Sequence, residues 1–143
     1  DRTALWNGAA AGYEAAVHEQ PDNEALIGAS IRYAHAARGA TIHDTFIFGT
    51  DGRMLGEWYR QLMGESLGKE KNKAGTVVEA GITPTVSLGS NDLHSVTQLY
   101  LAGPRDKTTT FIFCEPRTPP LAIKPNIFSQ KLGTQPTTTT VYD

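Results

Sequence analysis

The chain has 143 residues, of which 39% are hydrophobic and 20% charged, and this composition fits one ordinary globular domain rather than a disordered tail. Its formal net charge of -2 excludes the strong positive field that draws nucleic acid or an anionic membrane. The single cysteine, Cys114, cannot form an internal disulfide, and no Cys/His cluster has the spacing of a zinc site. We therefore expect a metal-free protein in a reducing compartment, with no nucleic-acid or membrane partner.

The sequence has the pattern of neither a membrane helix nor a signal peptide. No run approaches the roughly 18 apolar residues of a membrane helix, and the N-terminus lacks the basic-then-apolar order of a signal peptide. This favours a cytoplasmic location. The chain begins at Asp1 rather than Met and ends in a threonine run followed by Val-Tyr-Asp, so we expect it to belong to a longer protein.

The N-terminal part of the chain has the pattern of two helices. Apolar residues recur at helical spacing over residues 3–19, and Pro21 follows them. A second amphipathic run covers residues 23–38, with Gly39 as its C-terminal stop. The pattern predicts a helix pair.

The middle of the chain alternates between strand and helix patterns. Residues 40–48 are rich in Thr, Ile and Phe and predict a strand, which residues 49–52 break. Residues 53–70 return to helical spacing, with Lys69, Lys71 and Lys73 near the end, where cations suit the helix dipole. We expect one long helix here.

Two short β-favouring runs follow, at 76–78 and 85–88, and the second predicts a buried strand. Residues 89–92 include Ser, Asn and Asp, which cap helices, and precede a predicted helix over 93–102. The run at 107–114 predicts a last strand with a buried end. Strands that alternate with helices predict an α/β fold with an open, mostly parallel sheet flanked by helices.

Beyond residue 115 the character of the sequence changes. Residues 137–140 are a run of threonines. Five prolines interrupt the remaining segment (Pro116, Pro119, Pro120, Pro125, Pro136). We expect irregular structure or an edge element over residues 116–143.

The turn at residues 89–92 is one candidate ligand site, because ligands of open α/β sheets bind at the carboxyl ends of the strands. A helix start there offers free N–H groups to a phosphate or carboxylate, and His94 could accept and return a proton. The alternatives are an ordinary helix cap and a structural histidine. His18, His35 and His43 lack companion residues and are expected to be structural or exposed.

A second candidate lies in the predicted helix over 53–70. Gln61 and Glu65 are four residues apart and share a face, so the carboxylate could abstract a proton while the amide holds a sugar hydroxyl. Gly64 and Gly68 weaken the helix by about 1 kcal/mol each and suggest close approach of a backbone or ligand. The alternative is a solvated face on which Glu65 pairs with Lys69.

Four ordered motifs connect these candidates. They are Trp-Tyr-Arg-Gln-Leu-Met-Gly-Glu-Ser-Leu-Gly-Lys at 58–69, Gly-Ile-Thr-Pro at 81–84, Gly-Ser-Asn-Asp-Leu-His-Ser at 89–95 and Gln-Leu-Tyr-Leu-Ala-Gly-Pro-Arg-Asp at 98–106. Together they closely resemble phosphoglucose isomerase (glucose-6-phosphate isomerase) of the bacterial type. A weaker likeness at 8–13 and 42–46 extends the match from near residue 1 to about Phe113.

This resemblance implies an isomerase that interconverts glucose 6-phosphate and fructose 6-phosphate through ring opening and a cis-enediol, with no metal or organic cofactor. The family has two doubly wound sugar-isomerase (SIS) domains, and the chain resembles most of the second. This implies a partial SIS-like domain at 1–115 and an irregular segment at 116–143.

The resemblance also implies roles for three residues. Glu65 corresponds to the base that moves the proton between C1 and C2, Gln61 to a substrate-contacting glutamine, and His94 to the histidine that assists ring opening. In the family that histidine reaches into the partner subunit's active site, which implies a homodimer of the full-length enzyme.

Parts of the family's pattern are missing. The Gly-Gly-Arg segment, the Ser/Thr-rich phosphate pocket and the catalytic lysine near the C-terminus have no counterpart here, so we expect little or no isomerase activity from these residues alone. One alternative is a sugar-phosphate-binding regulatory SIS module without catalysis, for which Thr85, Ser87 and Ser90 are candidate phosphate ligands. A purely structural domain is another, although it leaves the Gln61, Glu65 and His94 set unexplained.

Overall fold

The structure is a computed structural model that describes residues 1–113 and two short strands at 121–122 and 140–141. In chain order its elements are α1 (Arg2–Val17), α2 (Glu24–Ala36), β1 (Ile42–Phe48), a 3-10 turn (Thr50–Gly52), α3 (Arg53–Leu67), β2 (Lys69–Lys71), β3 (Val77–Ala80), β4 (Thr83–Gly89), α4 (Asn91–Ser95), α5 (Thr97–Ala102), β5 (Lys107–Phe113), β6 (Leu121–Ala122) and β7 (Thr140–Val141).

The sheet at the centre of the fold has three parallel strands in the order β4-β1-β5. In register, Phe48 at the end of β1 lies beside Gly89 and Phe113. The connections from β1 to β4 and from β4 to β5 run in opposite directions across the sheet, so right-handed crossovers place their helices on opposite faces. The predicted α/β class with a parallel, doubly wound sheet is confirmed.

The central strand β1 carries the core, and its residues 43–47 are buried. Its two faces follow from the alternation of side chains along a strand. Ile47 faces α3, where a Cβ added to Gly56 would lie 2.6 Å from Ile47 Cδ1 and 2.8 Å from Val86 Cγ1. Gly56 thus lets α3 lie directly on β1 and β4.

The opposite face of β1 is aromatic. The ring of Phe46 lies 5.5 Å from that of Phe111, and the ring of Phe48 stacks on Phe113 at 4.8 Å. Because β1 and β5 are parallel and in register, these neighbours lie at equal heights on the two strands. The pairs align β5 with β1 along their C-terminal halves.

The predicted helix pair is confirmed, and Asn23 joins its two members. The Asn23 amide donates to the carbonyl oxygens of Ala16 at 3.0 Å and His18 at 2.7 Å, and its Oδ1 accepts from Leu26 N at 3.0 Å. One buried side chain therefore closes the end of α1 and caps the start of α2. The apolar side chains of α1 are exposed to solvent.

The long helix predicted over 53–70 ends earlier than expected, at Leu67. Gly68 has extended backbone angles, and Lys69–Lys71 forms β2, which pairs antiparallel with Val77–Ala80. The lysines near this position therefore lie in a hairpin rather than in the last helical turn. The β-favouring run at 76–78 likewise contributes to this hairpin and not to the main sheet.

The helix predicted over 93–102 is two short helices, α4 and α5. The break falls at Val96, whose φ of -117° departs from helical geometry and which precedes a second β-branched residue, Thr97. The predicted strand at 107–114 is observed as β5 (Lys107–Phe113), but the expectation of a buried end is wrong for its described residues, since Phe113 is 73% exposed.

The C-terminal segment falls mostly outside the described residues, as does Cys114. Its described parts are β6 and β7, which pair antiparallel through Leu121 with Val141 and Ala122 with Thr140. The domain division at residue 115 stays a prediction. Over the described residues, no helix has both the length and the apolar character that crossing a membrane requires.

Candidate functional site

The exposed C-terminal half of α3 carries Gln61 and Glu65. The Gln61 amide donates from Nε2 to Glu65 Oε1 at 3.2 Å, so the structure brings together the two side chains that helical spacing placed on one face. Both are exposed to solvent. The second N–H and the carbonyl oxygen of the Gln61 amide remain available to a ligand beside the carboxylate.

Lys69 does not pair with the carboxylate of Glu65. Its ammonium donates instead to the backbone carbonyl oxygens of Glu65 at 3.4 Å, Ser66 at 2.8 Å and Gly68 at 3.1 Å. The solvated ion pair considered from the sequence is therefore wrong. Over residues 1–113, the hydrogen bond to the Glu65 carboxylate comes from Gln61.

The two glycines of this segment have different surroundings. A Cβ on Gly68 would lie 2.9 Å from Gly64 O, so the close backbone approach expected there is present. At Gly64 an added Cβ would meet nothing within 4 Å. The helix surface between Gln61 and Gly68 is open, which leaves room for a ligand or a second chain.

The turn before α4 is organised by Asp92 rather than by a capping Ser90 or Asn91. Asp92 Oδ2 accepts from Leu88 N at 2.7 Å, and Oδ1 accepts from Ser95 Oγ at 2.7 Å. These bonds, Ser95 first, lower the pKa of Asp92 and keep it ionised. A carboxylate thus occupies the turn where the sequence suggested an anion, and His94 is exposed beside it.

The candidates lie at opposite ends of the sheet because α3 runs antiparallel to β1. Gly56 contacts Ile47 near the end of β1, whereas the Tyr59 ring lies 5.7 Å from the ring of His43 near its start. Glu65, six residues further on, is about 9 Å beyond that level.

His94, by contrast, follows the carboxyl end of β4. The strand alone spans about 20 Å at roughly 3.3 Å per residue, so Glu65 and His94 are more than about 20 Å apart. The structure therefore brings Gln61 to Glu65 and keeps His94 away from both within one chain.

A buried polar cluster under α2 and α3 was not found from the sequence. Arg32 Nε donates to His43 Nε2 at 3.2 Å, Thr110 Oγ1 lies 3.0 Å from the same nitrogen, and the Arg32 guanidinium lies 5.8 Å from the centre of the Tyr59 ring. Burial, reinforced by the charge of Arg32, lowers the pKa of His43 to about 4. His43 is therefore a neutral, structural histidine, as expected, although it has the companions the sequence did not reveal. The alternation of side chains along β1, with a period of two residues, was the sequence signal that could have revealed this cluster.

A second buried group, Asp44, lies on the opposite face of β1. Its Oδ1 accepts from Thr85 Oγ1 at 2.6 Å and from Ser87 Oγ at 3.0 Å. These are two of the three candidate phosphate ligands of a regulatory module. Because both already bind Asp44, and because a carboxylate repels phosphate, the geometry counts against that module.

No protein-family model matches the chain. It is 41% identical over 90 residues to the glucose-6-phosphate isomerase of Methanocaldococcus jannaschii, covering 63% of this chain and 20% of that protein. It is 35% identical over 112 residues to a probable glucose-6-phosphate isomerase of Natronomonas pharaonis, covering 78% of this chain and 24% of the relative.

A crystal structure of a hypothetical protein from Thermus thermophilus superposes with a TM-score of 0.79 at 27% identity, covering 93% of this chain and 31% of that one. The chain thus spans about a fifth of the length of the M. jannaschii relative.

Proposed function

We propose that this chain, a homologue of part of the glucose-6-phosphate isomerases, contributes the proton-transferring helix of such an isomerase, acting on glucose 6-phosphate and fructose 6-phosphate. The observation that carries the proposal is the hydrogen bond from Gln61 to the Glu65 carboxylate at the end of α3. Lys69 donates to backbone carbonyl oxygens there and so does not neutralise that carboxylate.

In the proposed reaction Glu65 acts on the open-chain sugar. Its carboxylate removes the proton from C2 of the aldose, and the C–H electron pair forms the C1=C2 bond of the enediol while the carbonyl oxygen at C1 takes up a proton from water. The protonated carboxyl then returns its proton to C1, and water takes the proton of the C2 hydroxyl as that oxygen becomes the ketone. One carboxylate serves both half-reactions, so no group is consumed.

Gln61 has a supporting role in this proposal. One of its amide hydrogens orients Glu65, and its remaining hydrogen and carbonyl oxygen are suited to a sugar hydroxyl. His94 would assist ring opening in another copy of the site, because more than about 20 Å separates it from Glu65. We therefore also propose a homodimer, in which each chain gives its histidine to its partner's sugar.

An isomerase of these two phosphates acts where they occur, and we accordingly propose a cytoplasmic enzyme of glycolysis and gluconeogenesis. Because the chain spans about a fifth of the M. jannaschii relative, the activity is proposed for the complete protein and little or none for these 143 residues alone.

The test is an isomerase assay on the protein from the complete reading frame that encodes these residues. Glu65→Gln should reduce kcat by about 100-fold or more, the scale of a lost general base. Glu70→Gln is the matched control, since Glu70 is an exposed glutamate five positions along that pairs with Lys71. Equal activity of Glu65→Gln and the unchanged protein would refute the proposal.

A further inference from the structure

The C-terminal end of α3 is closed by one side chain from outside the helix. The last carbonyl oxygens of a helix have no partner within it, and a cation suits that negative end. Lys69 supplies three N–H donors, and carbonyl oxygens of Glu65, Ser66 and Gly68 lie 3.4, 2.8 and 3.1 Å from its nitrogen. The first of these belongs to the residue that carries the candidate base.

The backbone of Lys69 is held independently of its ammonium. Lys69 pairs with Ala80 in the β2–β3 hairpin, and the Cβ position of Gly81 lies 3.6 Å from Gly68 Cα. At Gly68 a Cβ would come within 2.9 Å of Gly64 O, so only glycine lets the chain turn this closely under the helix. The backbone of Lys69 is therefore held by its strand pairing, and its ammonium is held by the carbonyl oxygens at the end of α3.

We infer that Lys69 is a positioning residue that holds the Glu65 peptide in place, so that the Glu65 carboxylate stays against Gln61. Glu65 lies beyond the edge of the sheet, past the level at which Tyr59 contacts His43. Lys69 therefore replaces, at this helix end, the support that the sheet gives to the first turns of α3. The positioning of Glu65 for catalysis rests on the proposed function, whereas the placement of its side chain can be measured without activity.

The first experiment is NMR on the 143-residue chain and its variants. In Lys69→Met, amide exchange of Gly68, whose N–H donates to Gly64 O at 3.3 Å, should be about two- to fivefold faster, the range that a cation contributes at a helix C-terminus. The side-chain amide signals of Gln61 should move toward those of Glu65→Ala, which has no acceptor. Amides of β1 should be unchanged and so report intact folding.

Two further variants distinguish a positioning role of Lys69 from a general effect of its positive charge. Lys71→Met removes the same charge two residues away, where the ammonium lies 4.0 Å from Glu70, and should leave both signals unchanged. Lys69→Arg should restore both, since its guanidinium can still donate to the carbonyls. If Lys69→Met behaves like Lys71→Met, or if Gly68 exchanges faster while the Gln61 signals stay fixed, the inference is wrong.

An activity measurement separates this inference from the proposed function. In the active protein from the complete reading frame, Lys69→Met should lower kcat about two- to fivefold with KM unchanged. A raised KM at unchanged kcat would mean that Lys69 binds substrate, which overturns the positioning role. Loss of the proposed function would appear differently, as an isomerase rate that is insensitive to Glu65→Gln while the NMR effects persist.

Discussion

Strand β1 and the end of α3 both display polar side chains, yet they hold them in opposite ways. On β1, Asp44 and His43 are buried and tied to neighbouring strands and helices by Thr85, Ser87 and Arg32. On α3, Gln61 and Glu65 are exposed and joined by one hydrogen bond. Buried polar groups cannot leave their partners without a large cost, whereas exposed ones exchange partners readily. The first region therefore serves stability, and the second is suited to binding and chemistry.

The sharpest test of this contrast is Asp44→Ala against Glu65→Ala. Removing the Asp44 carboxylate leaves the buried Ser87 hydroxyl and the half-buried Thr85 hydroxyl without their acceptor, and we expect a loss of about 3 kcal/mol in the free energy of unfolding. Glu65→Ala should change it by about 0.5 kcal/mol or less. Urea unfolding of both variants measures the difference, and similar losses would erase the distinction between the two regions.

The buried cluster should also make stability depend on pH. His43 has a pKa of about 4 in the folded protein and 6.5 ordinarily, so between these values the unfolded chain binds more protons. Stability should be complete above about pH 6.5 and fall as the pH drops toward 4, by about 2 kcal/mol between pH 7 and 5. Urea unfolding at these two pH values should show this loss.

The matched variants for the pH test are His43→Leu and His18→Asn. His43→Leu should remove most of the difference in stability between pH 7 and pH 5, while His18→Asn, at an exposed histidine, should retain it. A pH dependence that survives in His43→Leu would show that another group is responsible.

Two glycines give the most local comparison, within α3 itself. A Cβ at Gly56 would lie 2.6 Å from Ile47 Cδ1, so Gly56→Ala should destabilise the protein by about 1–3 kcal/mol. Gly64 has open space around it, so Gly64→Ala should stabilise by up to about 1 kcal/mol through helix propensity. Thermal unfolding of the two variants should therefore shift in opposite directions, and a shift in the same direction would contradict the packing described for α3.

Much of the architecture was predictable because it depends on local pattern. The period-two pattern of β1 and the helical spacing of α3 are set by neighbouring residues in the chain. The hairpin of β2 and β3 was missed because it depends on pairing between residues that are not neighbours in the chain. Its lysines resemble a basic helix end, and they form a strand only because Lys69 pairs with Ala80 and Lys71 pairs with Val77. The break at Val96 was missed because two successive β-branched residues only weaken a helix without dictating where it ends.

By itself, the sequence determined the α/β class and the pairing of Gln61 with Glu65, since residues four apart on a helix are neighbours wherever that helix packs. Tertiary structure decided which contacts the other polar side chains make. The β2–β3 hairpin that follows α3 directed Lys69 to the helix carbonyls, and the pairing of β1 with β4 engaged Thr85 and Ser87 with Asp44. The direction of α3 along β1 placed Glu65 and His94 at opposite ends of the sheet. Each of these depends on strand pairing and helix direction, which the pattern of apolar residues along the chain does not specify.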